Sequence, residues 1–166
     1  MNRPANLVDG FEIIIPPSAP IGPSAGPHTQ LSQNIVSAWL SGGRFIELKT
    51  VQTLDELDVN KPCIDVTDEG YNVEWSQELR LAESLREYVK GSMLIDVARA
   101  QGFLGRPDDP VRDEPVLDLS VGYDLAGVRS SAIRSWIAAM KDARAEVDAL
   151  RREIPDDLRR LRDLDF

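Results

Sequence analysis

"IGPSAGPHTQLSQNIVSAWLSGGRFIELKTVQ", Ile21 to Gln52, is the stretch whose reading decides the fold. It opens with a short extended piece at residues 20–25 and a loop, "SAGPHT", built from small residues and a proline. Thr29 is a plausible N-cap, and Leu31, Ile35, Val36 and Trp39 then fall on one helical face. Gly42 and Gly43 supply a stop, which predicts a helix of about three turns. "RFIELKTV", Arg44 to Val51, is rich in β-forming residues and follows the glycine pair at once, as a strand after a helix does.

Downstream the alternation continues. Residues 52–75 lack a sustained period and contain Pro62, Gly70 and several Asp and Asn, so they read as a long loop with an extended piece near "CIDV". Ser76 to about Gln101 carries Leu81, Leu85, Tyr88 or Val89, Met93 and Val97 at helical spacing, with Gly91 as a possible break and Gly102 as a stop. "VLDLSVGY", Val116 to Tyr123, reads as a buried strand, and Ser130 or Ser131 can cap a helix whose Ile133, Trp136, Ile137, Met140 and Val147 share a face. The tail from Arg152 is a short charged helix broken by Pro155. Residues 1–20 read as an irregular arm holding one short β-branched run, Ile13 to Ile15. Strands and helices in alternation predict an α/β fold with parallel strands.

Composition narrows the function. A chain of 166 residues, 42% hydrophobic and 28% charged, is long enough for one domain with a real core or for part of a larger one. Nineteen basic against 28 acidic residues give a net charge of −9, which repels nucleic acid and anionic lipid at long range. The first residues do not follow the signal-peptide pattern, and no apolar run reaches spanning length, so the expectation is a cytoplasmic protein without membrane insertion. One cysteine, Cys63, and one histidine, His28, exclude an internal disulfide and a Cys/His metal cluster.

Several positions invite chemistry, and each has a plain alternative. Ser24, Ala25 and Gly26 are small enough for backbone to approach a flat cofactor at the carboxyl end of a parallel sheet, although "SAGPHT" fits neither GxGxxG nor GxxxxGK(S/T) and also reads as a tight turn. Lys49, toward the end of a predicted buried strand, must reach solvent, a carboxylate or an anionic ligand. Asp118 poses the same problem with the opposite sign, and the two can simply pair. His28 reads as a cap or surface residue and Cys63 as a packing residue. "DVTDEGYN" and "RPDDPVRDEP" lack EF-hand spacing and read as solvated loops.

Taken together, the stretch from Ile21 to Gln52, "KPCIDVTDEGYNVEWSQELRL" and "LSVGYDLAGV" resemble the start of a flavin-dependent barrel over residues 21–128. The resemblance is to the selenate reductase subunit family, iron–sulfur and flavin oxidoreductases related to dihydropyrimidine dehydrogenase and the glutamate synthase small subunit, whose barrel is similar to that of dihydroorotate dehydrogenases. It implies the first half of a TIM-type (β/α)8 barrel, followed by a helical segment and charged tail at residues 129–166. It also implies FMN against Ser24, Ala25, Gly26, Lys49 and Thr50, and a substrate contact from Asn72. Asp118 stands where the family carries an asparagine, which puts that contact in doubt. A complete barrel needs about 250 residues, with its phosphate site after the seventh and eighth strands. The resemblance therefore implies a fragment or split subunit, inactive alone. The rest of the barrel would come from the same gene product or a second chain, with iron–sulfur and FAD centres there and a small molecule as substrate. The rival readings are a non-catalytic acidic assembly subunit and a small α/β protein holding an anionic metabolite at the helix start near Thr29.

Overall fold

The segment Ile21–Pro23 lies beside the strand that follows the first helix. The Ile21 carbonyl accepts the amides of Arg44 (3.0 Å) and Phe45 (3.4 Å), and the Pro23 carbonyl accepts that of Glu47 (3.2 Å). These bonds advance together along both segments, so the two run parallel. The approach is close: a Cβ on Gly22 would stand 1.7 Å from the Phe45 carbonyl oxygen. In this computed structural model, residues 21–54, 64–65, 71–72, 79–103, 114–122 and 124–166 are described. The expected arm, Cys63 and most of the two acidic loops lie outside them.

Helix α1 spans Ser32–Leu40, starting two residues later than the sequence suggests. Residues Pro27–Thr29 first wind a single 3-10 turn, and the Thr29 hydroxyl closes it by donating to the Gly26 carbonyl (3.1 Å) and accepting the Gly26 amide (3.2 Å). Leu31 is the N-cap of α1 and has no capping side-chain bond; the Ser32 amide is instead taken by Glu87 Oε2, 2.7 Å away. Gly42, at φ 99°, ends the helix as expected, because only glycine adopts that conformation without strain. The buried Arg44 guanidinium then serves the Trp39 carbonyl at 2.8 Å and lies 5.3 Å over the Trp39 ring.

Strand β1 is Phe45–Glu47 and β2 is Val51–Gln52. Strand β3 (Ile64–Asp65) falls on the extended piece expected near "CIDV" and pairs antiparallel with β4 (Tyr71–Asn72), which the sequence reads as loop. Helix α2 runs unbroken from Leu81 to Ala100 and stops at Gly102, φ 72°. Gly91 is not a break. It is where α2 meets α1, and a Cβ there would stand 3.1 Å from Ile35 Cδ1.

Strands β5 (Val116–Asp118) and β6 (Val121–Gly122) pair parallel with β1 and β2 respectively. They are half-buried rather than buried. A short helix α3, Leu125–Val128, starts on an Asp124 side-chain cap. Helix α4, Ser131–Lys141, starts on Ser130, whose hydroxyl accepts the Ile133 amide as expected. The sequence reads one helix through Val147, but the chain turns at Asp142 and Ala143, and a separate α5 spans Arg144–Glu153. After Pro155, Asp156–Asp163 is 3-10 helix.

The core lies between the strands and α1, α2 and α4. Ile35, Trp39, Ile46, Leu48, Val51, Tyr88, Ile95, Ile133 and Trp136 form one cluster. Helix α5 packs on α2 through a second cluster, Val89, Met93 and Leu150, and Arg86 pairs with Glu146 (3.0 Å) and Glu153. Among the described residues no helix is long and apolar enough to cross a membrane.

Candidate functional site

Opposite β5 and β6, the strand formed by β1 and β2 carries one residue too many. Glu47 registers with Asp118 and Val51 with Val121, so Leu48, Lys49 and Thr50 face only Leu119 and Ser120. This is a β-bulge, and it shifts the phase of the alternation between faces. Without it Glu47 and Thr50, three positions apart, would point to opposite faces. With it they line one pocket of about 120 Å³ together with Ser24, Ala25 and Gly26. Four residues expected from the sequence are thus brought together by two segments more than twenty positions apart in the chain.

Each wall is held. The Ala25 amide donates to Glu47 Oε2 at 3.0 Å, tying the loop to β1. Thr50 Oγ1 and Ser120 Oγ share a hydrogen bond of 2.6 Å across to the strand formed by β5 and β6. A Cβ on Gly122 would press on Thr50 Cγ2 at 3.0 Å, so the glycine leaves room for Thr50. The Gly26 amide is engaged by Thr29. The pocket therefore presents the hydroxyls of Ser24 and Thr50 and the Glu47 carboxylate, rather than those two amides.

Lys49 is 1% exposed and does not line the loop pocket, so of the outlets expected for it solvent is ruled out: the bulge takes the residue into the interior. Its carbonyl accepts the Tyr88 hydroxyl of α2 at 2.7 Å. Burial pushes the Tyr88 phenol far above the usual tyrosine range, so it stays a donor. Asp118 is half-buried and registers with Glu47 rather than with Lys49. Asn72 sits in β4, in register with Ile64. His28 is exposed on the 3-10 turn.

Glu47 and Ser120 are the site residues that sequence reasoning missed. The signal for Glu47 was present: a charged side chain inside a β-forming run, the same argument that picked out Lys49 two positions on. Ser120 carries no such mark. A larger cavity, about 810 Å³, lies on the helix side of the sheet between Leu48, Leu117, Met93, Ile137 and Phe166, and shares no lining residue with the loop pocket. Ligands of parallel α/β folds bind at the carboxyl ends of the strands, which favours the smaller pocket as the site.

Comparison with known proteins gives the family. Residues 13–164 match the family model described as oxidoreductase YgfK, N-terminal TIM-barrel domain. The YgfK proteins of Escherichia coli strains K12 and O157:H7, both carrying an oxidoreductase name, are each 47% identical to this chain over 126 residues. The match covers 76% of this chain and 12% of each relative, so the chain spans only a small part of the length of these relatives. No solved structure matches the chain.

Proposed function

The chain belongs to the family of the oxidoreductase YgfK N-terminal TIM-barrel domain, and from that membership we propose that it supplies the opening strands of an FMN-binding barrel. The enzyme would be a dehydrogenase or reductase that passes electrons between a small-molecule substrate and iron–sulfur and FAD centres in other regions or partner chains. The observation that carries this reading is the convergence of Ser24, Ala25, Gly26 and Thr50 on one pocket at the carboxyl ends of adjacent parallel strands.

The residues present fit one edge of a flat ring. Apart from Glu47, whose carboxylate is tied to the Ala25 amide, only small side chains line the pocket, and its volume of about 120 Å³ suits a ring edge, with the remaining walls coming from other strands of a complete barrel. Bound FMN would supply the hydride chemistry. This chain's share is to bind and orient. Ser24, Ala25 and Gly26 lie under the ring, and the Thr50–Ser120 hydroxyl pair offers a hydrogen bond to its polar edge. Lys49 is buried next to Thr50 and does not line the pocket, and its side chain is the candidate for the contact that favours the anionic reduced form. Glu47 fixes the loop through the Ala25 amide. Asn72 is the candidate for the substrate contact.

The test is flavin retention by the full gene product, purified and compared with its Lys49→Ala variant by visible absorbance. The expected result is FMN in the wild type and weaker retention in the variant. A wild-type protein that never holds flavin refutes the proposal.

A further inference from the structure

The bulge that joins Glu47 and Thr50 in one pocket needs something to hold it, because an inserted residue leaves the ladder locally unpaired. The ladder is intact on either side: Leu48 donates to the Asp118 carbonyl at 2.9 Å and Val51 to the Ser120 carbonyl at 3.1 Å. Between them the Lys49 carbonyl turns toward the helix layer, where the Tyr88 hydroxyl meets it. Tyr88 is 1% exposed. Its ring is fixed edge-on to Trp136, with centroids 6.4 Å apart, and the Trp136 indole N–H is in turn bonded to the Leu81 carbonyl at 2.9 Å. A leucine or phenylalanine would fill such a core position without a polar group to desolvate. The hydroxyl reaches the backbone of one of the three bulge residues, the one whose side chain is the buried lysine.

We propose that Tyr88 is a positioning residue, whose hydroxyl clamps the bulge from the helix side and so fixes Lys49 and Thr50 for the candidate site. It touches neither the pocket nor any ligand, and it acts through the Lys49 backbone alone. The inference rests on the flavin reading for its functional meaning, but the clamp itself can be read without flavin.

The experiment compares wild type, Tyr88→Phe and Trp136→Phe in the full gene product. Tyr88→Phe removes only the hydroxyl, whereas Trp136→Phe loosens the same packing and leaves the hydroxyl bond in place. The flavin-independent readout is native-state labelling with an amine-reactive reagent, resolved by mass spectrometry at Lys49, Lys90 and Lys141. Loss of the clamp is expected to raise Lys49 labelling about tenfold in Tyr88→Phe, the scale on which one lost buried hydrogen bond raises a local opening, while Lys90 and Lys141 stay unchanged. Trp136→Phe should not single out Lys49. Where the wild type holds flavin, Tyr88→Phe should also shift the flavin potential in the same direction as Lys49→Ala. A wild type without flavin sinks the functional reading and leaves the labelling result to decide the clamp. Labelling of Lys49 that stays at the wild-type rate, or rises only in step with the other two lysines, overturns the clamp. So does a Tyr88→Phe protein that fails to fold, since the hydroxyl would then hold the whole domain rather than the bulge.

Discussion

Replacing Gly91 by alanine sets two effects of similar size against each other, and the structure decides between them. In a helix interior alanine is favoured over glycine by about 0.8–1 kcal/mol, so on α2 alone the change would stabilise. The new methyl, however, would stand 3.1 Å from Ile35 Cδ1 and 3.3 Å from both Ile35 Cβ and Cγ2. Ile35 is fully buried on α1, and its branched side chain has one strongly preferred rotamer in a helix. Only Cδ1 can swing away; Cβ and Cγ2 move only with the α1 backbone or out of that rotamer. Overpacking of this kind costs roughly 1–3 kcal/mol, which outweighs the propensity gain and leaves a net destabilisation of about 1 kcal/mol. For a domain of this size that is a fall of about 2–4 °C in melting temperature. Thermal unfolding followed by circular dichroism measures it. Ile35→Val, which removes Cδ1, costs about 0.5–1.5 kcal/mol on its own but should cost less in the Gly91→Ala background, a coupling of at least about 0.5 kcal/mol. A Gly91→Ala protein that melts higher than wild type, or a double variant whose effects simply add, would refute the claim that Gly91 is packed tightly against Ile35 of α1.

Three further outcomes follow from the same geometry. Gly22→Ala pushes a methyl into the Phe45 carbonyl, a backbone atom that cannot rotate aside, so it should part the Ile21–Pro23 segment from β1; loss of protection of the Arg44 and Glu47 amides from hydrogen exchange would show it, and wild-type protection would contradict it. Glu47→Ala leaves the Ala25 amide without its carboxylate, a charge-assisted bond worth roughly 1.5 kcal/mol at this half-buried position, and should speed exchange of that amide about tenfold, while Glu47→Gln keeps an acceptor and stays near wild type. Burial alone would raise the Glu87 pKa, but the Ser32 amide and hydroxyl and the neighbouring Lys90 outweigh it and hold the group below its ordinary 4.5. Because the folded value is the lower one, the stabilisation is fully present above about pH 4.5 and is lost as pH falls through the folded value. Acid unfolding should therefore be less steep in Glu87→Gln, and identical acid limbs would count against the helix-bridging role.

The elements that were legible in the sequence are those specified by nearby residues. Gly42 and Gly102 end their helices in the left-handed region as their position suggests, and Ser130 caps α4. The misread features depend on partners distant in sequence. Thr29 looked like a helix cap, yet α1 starts at Ser32 because Glu87, 55 positions on, takes that amide. Gly91 looked like a break because its packing partner is on another helix. Val147 seemed to continue the α4 face, but it packs with the cluster beneath α5. The same division holds in the pocket. Small residues at Ser24 to Gly26 mark a place of close approach on their own, whereas the bulge exists only as a mismatch between two strands, and no single segment records it.

The extra residue between Glu47 and Val51 also bears on how this stretch can change in length. Ile46, Leu48 and Val51 all belong to the core although 46 and 48 are even positions and 51 is odd. Deleting any one of the three residues between Glu47 and Val51 would match two residues to two and regularise the ladder, which for an ordinary strand is a repair. The deletion would leave Val51 opposite Val121 and on the core face, because the extra residue is what now brings an odd position into line with Ile46 and Leu48. The core pattern therefore accommodates either count of residues here, and what a chain that had lost one would forfeit is the particular side chain removed: at position 50 the hydroxyl bonded to Ser120, at position 48 a buried leucine.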